Sequence, residues 1–380
     1  MATDLVCKID KHFVSVTDPR VNRGTNYDLV EMIFMALTAT LCGAQGWVDI
    51  ERFAMAKFEW FERFIPMEKG VPSHDTMGRV FARLDTAEFL TAMHGWVDEF
   101  ASCLRGQGVA IDGKVVRGSH GTQEGQSPLH LMTAYATQTR LCLRQMSVDG
   151  KSNEIPAAPV LLQLLELAGA TVTMDALHCQ VETAQAILDR DADYVLCVKD
   201  NQPTLHQFLQ EKFAHGNEPD AKLPGLVQHL TRERSHGRQE LRHYYTLPVT
   251  VADRKVFKRW PGLKSLTMVY RQRTVGDTES TEIAYYISSH EPKVRALAEH
   301  IRSHWSIENS QHHVLDVTFA EDASRIRQGS APEISSALRR MALNILQQDT
   351  TVKDNIRGKR LRAGWDEQVL ERIWSAFSHV

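Results

Sequence analysis

The sequence lacks the features that mark secreted, membrane-spanning and thiolate-metal proteins. Its six cysteines are scattered and none forms a C-x-x-C pair, which fits a reducing cytosol and offers no thiolate metal site. The most apolar run, residues 29–44, is interrupted by Glu31, Thr38 and Thr40 and is shorter than the ~20 residues of a membrane span. The N-terminus has no charged-then-apolar signal pattern. We therefore expect a cytoplasmic protein without a membrane partner.

Several catalytic signatures are also absent. Without a G-x-x-x-x-G-K-[ST] loop there is no sign of nucleotide hydrolysis, and no pattern indicates a Ser-His-Asp esterase. The net charge of −3 does not indicate a nucleic-acid binder, but binding needs only a local basic patch. With 43% hydrophobic and 24% charged residues, the chain has the composition of an ordinary globular protein.

Apolar spacing divides the 380 residues into a helical part and a mixed part. Residues 1–105 predict an all-α N-terminal domain. Within it, residues 47–61 and 72–84 could form a helix-turn-helix pair that reads DNA ends, or simply pack together. From Val109 onwards, predicted strands alternate with predicted helices. This alternation predicts an α/β fold with a mixed sheet.

A predicted β-rich segment interrupts the mixed part of the chain. We predict a core built from residues 106–200 and 291–350, a β-rich insertion at 201–290, and a basic C-terminal tail at 351–380. The insertion contains three alternating runs, "ELRHYYTLPVTV", "SLTMVYRQRTV" and "STEIAYYISS". The tail contains the basic residues Lys353, Arg357, Lys359, Arg360 and Arg362, which could either be solvated or add salt-dependent DNA affinity.

Three carboxylates occupy unusual positions. Asp112 interrupts the apolar strand "GVAIDGKVV", and Asp175 ends another, "TVTM". Glu308 lies in a predicted helix beside Trp305 and Ile307. A single acid at a strand end usually caps a turn or helix, but an unpaired buried carboxylate costs several kcal/mol. Three together could hold divalent ions such as Mg²⁺ for displacement at phosphorus.

These acids also carry a family resemblance. In the order "AIDGK", "TMDALHCQ" and "HWSIENSQHHVLDVTFAEDASRIR", the chain resembles DDE-class transposases, and more narrowly the H-repeat-associated transposases of bacterial insertion sequences. The similarity extends nearly end to end, through "LCGAQGWVDIERFAMAK", "GVPSHDTMGRVFARLD", "KSNEIPAAPVLLQLL", "DADYVLCVKDNQPTL", "HGRQELR" and "KRLRAGWDEQVL".

The resemblance implies a fold and an activity. It implies a ribonuclease-H-like catalytic core with the β-rich insertion between Asp175 and Glu308. It implies DNA strand cleavage and 3′-hydroxyl transfer at element ends. It also implies that Asp112, Asp175 and Glu308 hold two Mg²⁺ or Mn²⁺ ions. The partners would be double-stranded DNA, at element ends and target, and a second copy of the chain, because two ends must be joined.

The chain departs from the family pattern around the glutamate. Gln311 replaces a leucine and His313 a tryptophan, which could loosen helix packing or a DNA contact. Related enzymes carry an Arg four residues before the Glu and a Lys seven after it. Here His304 and Leu315 stand there, so that phosphate-contacting pair is not carried over.

Further residues are candidates for DNA contact. Arg238 and Arg242 share one face of an alternating strand with Glu240, which indicates either a grip on phosphates or a solvated sheet face. The complete set of predicted DNA-binding residues is Lys114, Arg117, Lys199, Asn201, Gln202, His236, Arg238, Arg242, His304, Trp305, Arg325 and Arg327.

Three alternatives stay open. His304, Glu308 and His312 recur at helical spacing and could hold zinc, although no H-E-x-x-H pattern supports this. The substituted glutamate helix is compatible with a decayed or host-adopted, non-catalytic DNA-binding protein. A metal-dependent nuclease that cuts without joining would carry the same acids.

Overall fold

The computed structural model describes residues 2–21, 25–101, 103–120, 127–148, 154–214, 223–235 and 237–378. In its N-terminal part every described element is a helix. These helices are α1 (Ala2–Phe13), α2 (Leu29–Leu41), α3 (Trp47–Ala56), α4 (Phe58–Glu62), α5 (His74–Phe81) and α6 (Thr86–Asp98).

Side-chain caps fix where several of these helices begin. Asp28 accepts hydrogen bonds from the first turn of α2, and Asp85 does the same for α6. Ser73 accepts from the Thr76 N–H at the start of α5. Almost all of α2 is buried, as its apolar composition requires, since it packs between other helices.

The described strands form one nine-stranded sheet. They are β1 (Gly108–Val116), β2 (Leu129–Ala136), β3 (Leu141–Ser147), β4 (Thr171–Met174), β5 (Asp193–Val198), β6 (Val227–Ser235), β7 (Arg238–Pro248), β8 (Ser265–Val275) and β9 (Thr278–Ser288). Their order is β3-β2-β1-β4-β5-β9-β8-β7-β6. The pairs β1–β4 and β4–β5 are parallel and the remaining pairs are antiparallel, so the sheet is mixed, as predicted.

Strands β6–β9, which lie within the predicted insertion, continue the same sheet. β9 pairs with β5, with Val195 opposite Ser288 and Val198 opposite Tyr285. The sequence missed β6, since its residues are mostly exposed and show no apolar alternation. Backbone pairing with β7 along its whole length holds β6 in the sheet.

The remaining helices cover the sheet and return to the N-terminal part. They are α7 (Glu154–Gln163), α8 (Val181–Leu188), α9 (Pro203–Ala214), α10 (Val251–Val256), α11 (Val294–His304), α12 (His313–Val317), α13 (Ala331–Gln348), α14 (Ile356–Trp365) and α15 (Glu367–Ser378). Within the described residues, no helix is long and apolar enough to span a bilayer.

The segment after α11 is not one regular helix. Residues Glu308–His312 form a π-helix, which is followed directly by α12. The sequence predicted an almost continuous helix here, because a π-helix has no distinct apolar period. Such turns are rare and are frequently found at functional sites.

Residues 351–380, predicted as a basic tail, contain α14 and α15. Lys359 and Arg360 are buried. The Arg360 guanidinium donates to the Thr40 carbonyl at 2.9 Å, and Trp60 Nε1 donates to Glu371 Oε1 at 3.1 Å. This part therefore packs on the N-terminal helices, and one hydrophobic core extends from Ile9 to Trp374.

Candidate active site

Asp112 and Asp175 lie side by side at one edge of the sheet. β1 and β4 run parallel, with Ile111 opposite Met174. Asp112 and Asp175 directly follow these two residues and are therefore neighbours. Ligands of α/β sheets bind at this carboxyl edge of the strands. The structure thus brings together two of the three predicted acids through strand pairing alone.

The surroundings of Asp112 are acidic. Its side chain is 23% exposed, Oδ1 accepts the Gly113 N–H at 2.9 Å, and Oδ2 lies 3.5 Å from His312 Nδ1. Burial and the negative charge of Asp175 raise the pKa of Asp112 to about 7, with smaller contributions from Glu308 and Glu154. Each acid thus opposes ionisation of Asp112, and a bound cation would relieve that repulsion.

Glu308 is exposed at the start of the π-helix. Among the residues that the structure describes, no three His, Cys, Asp or Glu side chains form a group that could hold a metal ion. The carboxylates of Asp112 and Asp175 are the hard oxygen donors that Mg²⁺ and Mn²⁺ prefer, so the donor chemistry fits. Glu308 acts on Asp112 through its charge and does not complete a three-ligand group in this arrangement.

Two histidines flank Glu308, one at the end of α11 and one at the end of the π-helix. His304 Nδ1 is hydrogen-bonded to Thr173 Oγ1 on β4 at 2.9 Å, and burial lowers its pKa to about 4. Burial also lowers the pKa of His312 to about 3. Both rings are therefore neutral at pH 7. His304, predicted to contact DNA, here attaches α11 to the strand that ends at Asp175.

Lys114, another predicted DNA contact, points into a buried ionic cluster. It is 8% exposed and its ammonium forms ion pairs with Asp316, Glu321 and Asp322. Glu321 in turn lies 2.8 Å from Arg340 on α13. In this arrangement Lys114 connects β1 to the segment after the π-helix.

The insertion holds its arginines differently from one another. Arg242 is 5% exposed, and its guanidinium lies 2.9 Å from Glu233 and 2.7 Å from Glu240. Arg238 is only half-buried. The Arg271 guanidinium lies over the Trp305 ring at 5.6 Å. His236 lies outside the described residues.

The remaining predicted contacts lie outside the strands and α-helices. Arg117 is 84% exposed beside Asp322. Arg325 is exposed, and Arg327 Nε donates to the Gly118 carbonyl at 3.1 Å. Lys199 is exposed after β5. Asn201 and Gln202 donate to the Ala176 and Cys179 carbonyls at 2.5 and 3.0 Å, so they fix the turn after Asp175.

A cleft of about 560 Å³ opens beside the paired acids. Its lining residues include Asp112, Asp175, His312, His130 and Glu154. Neither His130 nor Glu154 is among the site residues predicted from the sequence. An isolated Glu at the start of a helix indicates only a favourable first-turn charge, and a histidine in an apolar strand indicates no site.

Family comparisons cover nearly the whole chain. The family described as "Transposase DDE domain" matches residues 104–345, and the family associated with that domain matches residues 11–97. The Escherichia coli O157:H7 relative "Putative transposase YncI" is 35% identical over 96% of this chain and 94% of its own length. The Escherichia coli K12 relative "H repeat-associated putative transposase YhhI" is 32% identical over 96% and 97%.

One solved structure, a piggyBac transposase in a synaptic complex with hairpin DNA, aligns with 99% of this chain and 76% of its own. Its TM-score is 0.43 and its identity 11%, a likeness too weak to add to the assignment. The sequence matches decide the family. The chain belongs to the DDE transposases, a class of enzymes, and within them to the H repeat-associated transposases.

Proposed function

We propose that this protein is the transposase of an insertion sequence, which cleaves a DNA strand at the element ends and transfers the resulting 3′-hydroxyl to target DNA. The observation that carries the proposal is the parallel pairing of β1 with β4, which sets Asp112 beside Asp175 within the electrostatic reach of Glu308.

The proposal assigns a ribonuclease-H-like core to residues 106–200 and 291–350. Its support is the path of the chain: β9 returns beside β5, and α11 then carries the chain back across β4 to Glu308. In this proposal β6–β9 are the inserted sheet within residues 201–290, and residues 1–105 form the end-binding domain.

Asp112, Asp175 and Glu308 are the proposed catalytic residues and would hold two Mg²⁺ or Mn²⁺ ions. When bound, such ions activate an attacking oxygen and stabilise the leaving oxygen of an in-line displacement at phosphorus. The chain itself supplies the carboxylate oxygens, and the hydrogen bond from the Gly113 N–H orients Asp112.

The proposed partner is double-stranded DNA, at element ends and target. Arg117 lines the cleft, and Arg117, Lys199 and Arg325 are exposed cations suited to phosphate contact. We also propose that two copies act together in the cytoplasm, since two element ends must be joined.

The test is a cleavage assay on the terminal sequences that flank the gene. Purified protein with Mg²⁺ is expected to give nicked and joined products, and Asp112→Asn, Asp175→Asn and Glu308→Gln should each abolish both while leaving DNA binding largely intact. Glu182→Gln, an exposed acid on α8, is the matched control. Wild-type nicking rates in any of the three variants would remove that residue from the catalytic set, and nicks without joined products would indicate a cutting-only nuclease.

A second candidate is a decayed copy that binds DNA without cutting it. Gln311 favours it: the side chain is fully buried, and neither amide atom has a hydrogen-bond partner within the described residues. An unmade hydrogen bond at a buried amide is destabilising. Retained DNA binding with no cleavage in Mg²⁺ or Mn²⁺ would support this candidate against the first.

A further inference from the structure

Glu154 is a further carboxylate that lines the cleft of Asp112 and Asp175. It is the first residue of α7 and is 9% exposed. Its oxygens lie between two histidines: His130 Nε2 is 2.5 Å from Oε1, and His178 Nε2 is 3.8 Å from Oε2. A buried carboxylate normally requires such partners. Its position is therefore set by the surrounding protein.

The two histidines belong to elements that adjoin the paired acids. His130 lies on β2 opposite Val115, next to the strand of Asp112. His178 ends the 3₁₀ helix Ala176–His178, which begins directly after Asp175. Both side chains are almost fully buried, at 4% and 1% exposure. Glu154 thus bridges the strand pair beside Asp112 and the turn that follows Asp175.

Gly113 shows how closely Glu154 approaches the first acid. A Cβ atom at this position would lie 2.9 Å from Glu154 Oε1 and 3.1 Å from His130 Nε2, so the absence of a side chain lets Glu154 pack on the backbone. The same residue donates its N–H to Asp112 Oδ1. A shift of Glu154 would therefore displace the Gly113 peptide, whose N–H orients Asp112.

We propose that Glu154 is a positioning residue of the active site. Paired with His130 and adjoining His178, it fixes the backbone at Gly113 and the turn after Asp175, and through them the spacing of the Asp112 and Asp175 carboxylates for a divalent cation. The inference rests on the proposed function, since it takes these two acids as cation ligands. Residues that orient metal ligands typically change metal affinity or activity about 10–100-fold when they are removed.

The test measures cation binding without DNA or catalysis. The melting temperature of the full chain is followed against the concentration of Mn²⁺ alone, because a cation that binds only the folded state raises it. Glu154→Ala should need about 10–100-fold more Mn²⁺ for the same rise. Glu154→Gln should stay close to the unaltered protein, because its amide oxygen can still accept a hydrogen bond from His130. Glu182→Gln, an exposed acid on α8, should match the unaltered protein.

Two results overturn the inference directly. An unchanged Mn²⁺ response in Glu154→Ala shows that positioning does not depend on this residue. A Glu154→Gln response as weak as that of Glu154→Ala shows that the charge itself is needed, as for a direct ligand. If Glu154→Ala does not melt cooperatively, Gly113→Ala takes its place, since its methyl group presses on Glu154 and His130. A weakened Mn²⁺ response then supports the inference and an unchanged one overturns it.

The same measurements separate this inference from the proposed function. If Asp112→Asn removes both the Mn²⁺ response and DNA nicking while Glu154→Ala removes neither, the role of Glu154 is wrong and the proposed function stands. If the unaltered protein shows neither a Mn²⁺ response nor nicking, the proposed function fails and the inference falls with it.

Discussion

Asp112 keeps its proton to an unusually high pH, because burial and the charge of Asp175 raise its pKa to about 7 from an ordinary 3.8. The folded state therefore binds more protons than the unfolded state between about pH 4 and 7. The contribution of Asp112 to stability is fully present below pH 4 and is lost as the pH rises through 7.

Asp112→Asn removes this dependence along with the carboxylate. Without divalent cations, we expect the variant to melt a few degrees above the unaltered protein at pH 8, and the gap to shrink towards pH 5. Thermal melts in chelator at both pH values measure it. Asp277→Asn, at an exposed turn, serves as the control and should show no such gap. An equal gap at both pH values would contradict the raised pKa.

Gln311 offers a second test of a single residue. Replacing a buried amide that lacks hydrogen-bond partners in the described structure with a leucine removes a desolvation penalty of about 1–3 kcal/mol. Gln311→Leu should raise the free energy of unfolding in urea by an amount in that range. His313→Leu, at an exposed position two residues later, should not. Destabilisation by Gln311→Leu would show that the amide has partners.

The sequence could predict the paired acids but not what surrounds them. Asp112 and Asp175 interrupt or end apolar strands, and this contrast is visible without coordinates. Glu154 and Gly113 carry no such contrast, since their contact depends on the distance between α7 and β1 in three dimensions. The same holds for Lys114, whose partners follow it by about two hundred positions in the chain.

Among the elements, the connection between β1 and α13 depends on Glu321. This fully buried acid accepts hydrogen bonds from Arg340 at 2.8 Å and Ser336 at 2.6 Å, and lies 3.5 Å from Lys114. Burial acts to raise its pKa, but the charges of Arg340, Arg339 and Lys114 outweigh burial and lower it to about 2. Its contribution to stability is therefore present above its ordinary pKa of 4.5 and is lost as the pH falls from 4.5 to 2.

Glu321→Gln leaves the buried cations without their counter-charge. We expect a loss of about 3–5 kcal/mol in the free energy of unfolding at pH 7, and a smaller loss at pH 3. Urea titrations at the two pH values measure it. Glu282→Gln breaks an exposed pair with Arg271 and should change stability by less than about 1 kcal/mol. A loss at pH 7 no larger than that control would show that the cluster adds no stability.

Arg238 and Arg242, which the sequence prediction placed on one face, have different surroundings in the structure. The Arg242 guanidinium is bound by Glu233 and Glu240, whereas Arg238 is half-buried. Arg238→Ala should make the slope of log DNA affinity against log salt shallower by about one unit, which corresponds to one phosphate contact. Arg242→Ala should lower the melting temperature and leave the slope unchanged. Equal changes in slope would show that Arg242 leaves its acids for DNA.

Element prediction succeeded where one face of a strand is buried. Apolar and polar residues alternate along parts of β7, β8 and β9 because the inner residues pack on the core. This alternation can be recognised in the sequence. β6 is missed because it is an edge strand held by backbone hydrogen bonds, which sequence composition does not reveal. The π-helix is missed for a related reason, since it differs from an α-helix in backbone pairing rather than in residue type.

At the scale of the whole molecule, the C-terminal helices α14 and α15 pack on the N-terminal helices and share their core. Removing residues 351–380 would withdraw Arg360 from the Thr40 carbonyl and Trp374 from the ring of Phe34. Each large apolar side chain that becomes exposed costs about 1.5–3 kcal/mol. A chain ending at residue 350 should therefore melt well below the full chain, or without cooperativity, by circular dichroism.

Lys353→Ala with Arg357→Ala is the matched control for that truncation. Both residues are exposed, so the double variant should melt like the unaltered protein while testing whether the basic segment contacts DNA. A truncated chain that melts like the full one would show that α14 and α15 are a dispensable appendage.

Because β9 pairs with β5, the continuous sheet sets the distance between its outer edge and Asp112. From β1 the order runs through β4, β5, β9, β8 and β7 to β6, and neighbouring strands lie about 4.8 Å apart, so the outer edge is about 29 Å from the strand of Asp112. B-form DNA rises about 3.4 Å per base pair. If DNA is cut at Asp112, as proposed, a phosphate held at β6 would lie about eight or nine base pairs from the cut, and a DNA end shorter than that span would not reach the outer edge.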